Sequence, residues 1–379
     1  MNVGIVCEFN PFHNGHAYLI RKAKEVSGGK VICAMSGNFV QRGEYAFADK
    51  YVRAKWAVEN GADAVFENPF PFSCATAEKF ALGAVSILIN SGMCDALSFG
   101  CENEISEEEL YSVAETILSK EFVSAVKKRV KENKNISFAC AREEELESLC
   151  GKEASKLLSS PNSLLAVEYA KACLNFGKRP KLFPIVRKGA SHDGEPLGEF
   201  ASGSSIREDI SLCEEYCPSD VRKDITGGKI IRTDKEKYYS ALCQRIFFGE
   251  KKEISEICEL PCEYAVKLKK AALECDDFES FFESLRAKHI TDAKLRRMLI
   301  YLITHTKCKE LESFPESAML LAVSDSGAKF IKEYKNKGQS FVILSKLSDI
   351  KKLPLCEKER YEKQHLAESL FKKLSDEGF

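Results

Sequence analysis

Two periods of hydrophobic patterning share the first 225 residues. Short apolar runs over 3–7, 30–35, 63–67, 96–99, 136–140 and 182–186 read as strands. Between them, 15–26, 49–60, 75–91, 106–118 and 163–176 carry the apolar spacing of helices. Strands alternating with helices predict an α/β fold: a Rossmann-like parallel sheet with right-handed crossovers. In such sheets a ligand sits at the carboxyl ends of the strands. The glycine-bearing turns after the first, second and fourth strands, at Gly15, Gly37 and Gly100, are expected to converge on one rim. Thr226-Gly227-Gly228 marks a boundary. Beyond it 237–248, 254–259, 264–274, 278–286 and 292–304 read as consecutive helices. Apolar 318–323, helical 327–334 and apolar 341–344 then resemble a small β-α-β unit. The expected organisation is a catalytic domain over 1–225 and a mainly helical C-terminal domain over 226–379.

The most informative string is Phe9-Asn10-Pro11-Phe12-His13-Asn14-Gly15-His16, placed where the first strand turns into the first helix. A helix N-terminus offers unpaired N–H groups and a positive dipole end, which attract phosphate. Gly15 lets backbone approach a ligand closely. His13 and His16 can donate hydrogen bonds to a phosphate whose charge grows during reaction. That suits attack on the α-phosphate of a nucleoside triphosphate, with pyrophosphate leaving. The plainer reading is a turn with two surface histidines. Zinc fits less well: metalloprotease zinc takes helical histidines four apart with a glutamate between them. Here the spacing is three, and no metal site is expected.

The second strong string is Ala201-Ser202-Gly203-Ser204-Ser205-Ile206-Arg207-Glu208. Ser205 is placed to N-cap a helix over 206–212, with Glu208 completing a capping box. In the functional reading Ser204, Ser205 and backbone N–H groups bind the β- and γ-phosphates, and Arg207 offsets charge on the leaving pyrophosphate. His13, His16, Ser205 and Arg207 are thus the expected catalytic set. The string from Pro184 to Asp193 ends a strand with the cations Arg187 and Lys188, a turn and His192-Asp193. Asn162, after Pro161, either caps a helix or reads an adenine or ribose.

Composition narrows the setting. At 379 residues, 44% of them apolar, the chain can bury two cores. It opens directly on a strand with no signal-peptide pattern, and no apolar run approaches a membrane span. The sixteen cysteines are scattered, with no C-x-x-C pair, and most fall in apolar runs. A reducing cytoplasm fits this better than a disulfide scaffold. Net charge is −1, so any nucleic-acid surface must be a local patch. Lys288, Lys294, Arg296, Arg297 and Lys307 cluster in the helical region, and 329–352 holds seven lysines against Glu333 and Asp349. Lys294, Arg296 and Arg297 are the expected RNA contacts.

With these strings in view, the chain resembles the bacterial tRNA(Met) cytidine acetate ligase family. The matching stretches are GIVCEFNPFHNGH, MSGNFVQRGE, GADAVFE, SFGCE, the 162–169 helix, PIVRKGASHD and SGSSIRE. They cover nearly all of 1–210; the helical remainder matches by arrangement. Tyr45, Asn68 and Ser191 stand where that family usually has proline, leucine and tyrosine, and Gly203-Ser204 replaces a more usual Ala-Thr. These departures bear on the pocket edge. The resemblance implies a cytoplasmic two-step ligase. ATP and acetate form acetyl-adenylate and pyrophosphate; the exocyclic amine of the wobble cytidine of elongator tRNA(Met) then takes the acetyl group. It also implies ATP contacts at Val6, Cys7, Glu8, Phe9, Asn10, Pro11, Phe12, His13, Asn14, Gly15, His16, Ala17, Tyr18, Leu19, Gly100, Asn162 and Arg187. Magnesium is expected on the triphosphate, without a dedicated carboxylate cage. No activated serine or cysteine nucleophile is evident, so catalysis would rest on positioning and charge stabilisation. Neither a protein partner nor a membrane is implied. The competing readings are an adenylyltransferase making a dinucleotide-type cofactor, and a non-enzymatic RNA-binding protein that senses ATP.

Overall fold

The computed structural model describes residues 1–133, 136–187, 198–261, 263–288 and 290–377. Its strands are β1 (Val3–Cys7), β2 (Val31–Ser36), β3 (Phe39–Val40), β4 (Glu44–Tyr45), β5 (Ala64–Asn68), β6 (Ala96–Cys101), β7 (Lys181–Val186), β8 (Ile231–Thr233), β9 (Ser317–Val323), β10 (Val342–Leu344) and β11 (Ser375–Glu377). Seven of them form one sheet in the order β10-β9-β5-β2-β1-β6-β7. The run from β5 to β7 is parallel throughout, with Val3 opposite Val31 on one side and Ala96 on the other. Every residue of β2 and β5 is buried, because helices cover both faces; such strands read as unbroken apolar runs.

Helices α1 (Asn14–Ser27), α2 (Lys50–Glu59), α3 (Ala77–Val85), α4 (Glu107–Leu118), α5 (Lys120–Glu132), α6 (Phe138–Cys150), α7 (Lys152–Ser159), α8 (Pro161–Asn175), α9 (Gly203–Glu208), α10 (Cys213–Tyr216) and α11 (Ser219–Thr226) belong to the sheet region. One core joins Leu88, Leu97, Tyr111 and Val167 on the face covered by α3, α4 and α8. The opposite core joins Ile5, Ile20, Trp56 and Val221, from β1, α1, α2 and α11. Then follow α12 (Lys235–Phe248), α13 (Lys251–Ser255), α14 (Tyr264–Glu274), α15 (Phe278–Leu285), α16 (Asp292–Thr304), α17 (Asp325–Asn336) and α18 (Leu355–Lys373). Leu242, Leu268, Phe281, Leu299 and Phe371 build a third core, which also takes in Phe39, Phe70 and Phe72 from the sheet region. Among the described residues no helix is long and apolar enough to cross a membrane.

Four features differ from the pattern-based expectation. Residues 136–140 are not a strand. Ser137 accepts from the Cys140 N–H and N-caps α6, so the short apolar run is a helix start. Helices α5 to α7 were missed around it. The helix expected over 254–259 stops at Ser255; Glu259 takes a left-handed φ of 61° just before Leu260-Pro261. The expected β-α-β unit is present as β9, α17 and β10, with the two strands parallel. It is not free-standing: β9 pairs antiparallel to β5, Ala64 opposite Val323, so the sheet is mixed. Finally, Cys258 and Cys308 form a disulfide, a pairing that scattered cysteines do not predict; thirteen other described cysteines are free.

Candidate active site

His13 is the N-cap of α1. Its Nδ1 accepts from the Gly15 N–H at 3.1 Å, while its own N–H donates to His16 Nδ1 at 3.3 Å. A ring nitrogen that accepts a hydrogen bond carries no proton, so in both neutral imidazoles the proton sits on Nε2. The rings stack with centroids 3.7 Å apart. Burial, the neighbouring His13 and the Arg187 guanidinium hold His16 well below the usual imidazole range. Gly15 is required here: a Cβ would lie 2.9 Å from His13 Cε1. Phe9, with φ 48°, is a left-handed non-glycine, a conformation that surrounding contacts must hold. Its ring packs on Phe12 at 4.9 Å and on His16 at 5.0 Å. The backbone is thus bent to aim two neutral N–H donors from a helix N-terminus.

These histidines line a cavity of about 240 Å³ at the carboxyl ends of the central strands. Glu8, Gly100, Asn162, Arg187, Ser204 and Arg207 share the lining. Arg207 donates to the Asn10 carbonyl at 2.6 Å and lies 3.8 Å from Glu44. Arg187 follows β7 and bonds through its N–H to the Cys101 carbonyl. Glu102 accepts from Asn162 Nδ2 at 2.6 Å and from the Ser163 N–H and hydroxyl. Asn162 thus lines the cavity with its side chain held by Glu102. The Glu8 carboxylate accepts from the Gln41 N–H at 2.7 Å. Burial pushes its carboxyl up, against the pull of Gln41, Arg207 and Arg53. Burial likewise pushes the Cys7 thiol well up, so Cys7 is no nucleophile. Beneath the site, wholly buried Arg53 donates to the carbonyls of Glu8, Ser36, Gly37 and Ala48 and pins the ends of β1 and β2.

A strand-end pocket lined by histidine and arginine donors suits phosphate transfer, and sequence comparison agrees. The profile of the HIGH Nucleotidyl Transferase family matches residues 1–377. The chain belongs to that family. A protein from Streptococcus mutans named tRNA(Met) cytidine acetate ligase is 33% identical over 341 residues, covering 88% of this chain and 86% of the relative. One of the same name from Thermoanaerobacter sp. is 32% identical over 97% of this chain and 94% of its own length. Among solved structures, Thermotoga maritima TmcAL in its apo form I superposes with a TM-score of 0.88 at 26% identity, over 99% of this chain and 97% of that one. The same protein bound with α-thio ATP gives 0.86 over 97% and 92%.

Of the ATP contacts expected for this family, Val6, Cys7, Glu8, Phe9, Asn10, His13, Gly15, His16, Tyr18, Leu19, Gly100, Asn162 and Arg187 line the cavity. Pro11, Phe12, Asn14 and Ala17 do not. Phe12 is core, and Asn14 donates to the carbonyls of Glu199 and Glu215. The N-cap of α9 is Ser202, not Ser205: the Ser205 N–H donates to Ser202 Oγ, and the helix begins three residues earlier than expected. Three nearby serines made that register ambiguous. Ser205 itself is hydrogen-bonded to Ser202 Oγ at 2.8 Å and lies off the cavity wall. Gly37 also misses the pocket, packing on Glu67 instead; the second loop reaches in through Gln41 and Arg42 of the β3–β4 hairpin. Sequence reasoning passed over those two, although Gly43 in a three-residue link between the short runs Phe39-Val40 and Glu44-Tyr45 is a hairpin signal. Tyr45 and Asn68 lie off the pocket edge, Asn68 wholly buried. Lys188, Ser191, His192 and Asp193 fall outside the described residues. Of the expected RNA-facing cations, Lys294 is half-exposed, Arg296 pairs with Glu44 at 3.0 Å, and Arg297 is buried against Glu259 at 2.7 Å.

Proposed function

We propose that this protein activates acetate with ATP and transfers the acetyl group to the exocyclic amine of the wobble cytidine of elongator tRNA(Met). The observation that carries the first step is the pair of neutral Nε2–H donors at the N-terminus of α1, with Arg187 and Arg207 on the same cavity. An acetate oxygen attacks the α-phosphorus, and the bond to the pyrophosphate oxygen breaks. His13 and His16 stabilise the phosphate oxygens as charge builds; Arg207 stabilises the departing pyrophosphate. Asn162 holds the nucleoside. In the second step the amine attacks the acetyl carbonyl, AMP leaves with the bonding pair, and the amine sheds its proton. The names of the full-length relatives support the acceptor. Among the described residues no cluster of His, Cys, Asp or Glu can hold a metal. Magnesium enters this reading as the counter-ion of the triphosphate, and no step is assigned to it.

The test is incubation of the protein with ATP, labelled acetate and bulk bacterial tRNA, followed by nuclease digestion. Labelled acetylcytidine from the wobble position is the expected product. Label released only as free acetyl-adenylate would remove tRNA as the acceptor.

A further inference from the structure

Beside the ATP cavity lies a second recess of about 510 Å³, on the other side of the β3–β4 hairpin. Gln41 and Arg42 of that hairpin face the first cavity; Glu44 and Tyr45 face the second. Gly43 seats the hairpin flush on α16, where a Cβ would lie 2.5 Å from the Arg297 nitrogen. The recess is walled by a continuous run of rings. Tyr45 stacks on Phe371 at 5.5 Å; Phe371 meets Tyr238 at 5.5 Å, Tyr238 meets Phe278 at 5.4 Å, and Phe278 meets Phe282 at 5.8 Å. Arg286 and Arg296 both lie over the Phe282 ring, at 5.7 and 5.8 Å.

The charges on the rim cancel. Lys235 pairs with Glu279, Arg286 with Glu283, and Arg296 with Glu44. Each of these cations is already engaged by a carboxylate, so the recess offers no unmatched positive charge to a phosphate backbone. Aromatic walls with a neutral rim suit an uncharged planar ring, and proteins that read single-stranded RNA stack splayed bases on aromatic side chains.

We infer that this recess receives an unstacked nucleobase adjoining the acceptor cytidine. This rests on the reading of tRNA as substrate. Once the acceptor base enters the first cavity, its neighbour is released from the stack, and one hairpin away the rings of Phe278 and Phe282 replace the lost partner. Glu44 touches both sites, 3.8 Å from Arg207 and 3.0 Å from Arg296.

The experiment uses the full chain and an anticodon stem-loop RNA, intact or abasic at each position flanking the wobble nucleotide. Acetyl transfer and acetate-dependent pyrophosphate exchange are measured side by side for wild type, Phe278→Ala and Phe282→Leu. One abasic RNA should react about tenfold less efficiently with wild type. The variants should lose a similar factor on intact RNA, show no further loss on that abasic RNA, and keep pyrophosphate exchange. Normal exchange also certifies the fold. Abasic RNAs as good as intact RNA in wild type would overturn the inference while leaving the function standing. Equal sensitivity of variants and wild type to the abasic change would overturn it too, as would loss of exchange in both variants. If wild type exchanges pyrophosphate normally but acetylates no RNA, the reading of the acceptor itself has failed.

Discussion

The proton inventory of His13 and His16 decides what they can do. Each Nδ1 is occupied by a backbone N–H, so each ring presents a neutral donor rather than a cation or a base. His13→Ala and His16→Ala should each slow acetate-dependent pyrophosphate exchange by about 10²-fold, the cost of losing a charge-stabilising donor. His16 is held below its usual 6.5. The unfolded chain therefore binds a proton near that value while the folded chain does not. Its contribution to stability is lost as pH falls below 6.5 toward the folded value. At pH 6 nitrogen-resolved NMR should show the His16 ring neutral with its proton on Nε2; a doubly protonated ring there would contradict this. Gly15→Ala offers a sharper dissection. Alanine favours the helix by up to ~1 kcal/mol, yet its Cβ would displace the His13 ring, so melting should hold while exchange falls. Such residues were legible in sequence because their string bridges a strand end and a helix start, where phosphate chemistry needs them. The tautomer was not, since it depends on which backbone N–H meets which ring nitrogen.

Elements hold those residues in place through a few backbone clamps. Arg53 on α2 is wholly buried and donates to four carbonyls at the ends of β1 and β2. Replacing it with methionine leaves those acceptors bare and should cost at least ~3 kcal/mol in urea unfolding. Arg53→Lys should not restore it, because one ammonium cannot span the planar fork. The β3–β4 hairpin depends on Gly43 at φ 79° against α16. Gly43→Ala should lift Gln41 and Arg42 and raise the KM for ATP. The sheet strands and most helices follow from apolar periodicity. What escaped were α5 to α7, because Ser137 begins a helix where five residues alone look like a strand, and the antiparallel β9. That pairing is set by contacts between Ala64 and Val323, 259 positions apart in the chain, and no local pattern records it.

Across the whole molecule, the C-terminal part is tied to the sheet by buried charge. Lys50 bonds Glu67 on β5 and Glu368 on α18, at 2.8 and 2.7 Å; burial pushes the Glu67 carboxyl up, and the two carboxylates hold the Lys50 ammonium in its charged form. Buried Arg297 is likewise a strut to Glu259 rather than a free surface cation. A usable RNA surface must therefore come from exposed residues. On α17 and at its C-cap, Lys329, Lys332 and Lys337 are exposed. Reversing all three to glutamate should weaken tRNA binding and flatten its salt dependence while leaving pyrophosphate exchange unchanged. An unaltered salt slope would move the RNA path off this helix.

The central claim is direct attack of acetate on the α-phosphorus within the histidine–arginine cavity. Carboxyl-labelled oxygen-18 acetate tests it. After a single turnover with ATP and tRNA, mass spectrometry should find one labelled oxygen in AMP and none in pyrophosphate. Label in inorganic phosphate or pyrophosphate, with unlabelled AMP, would place the attack at another phosphorus and contradict the account.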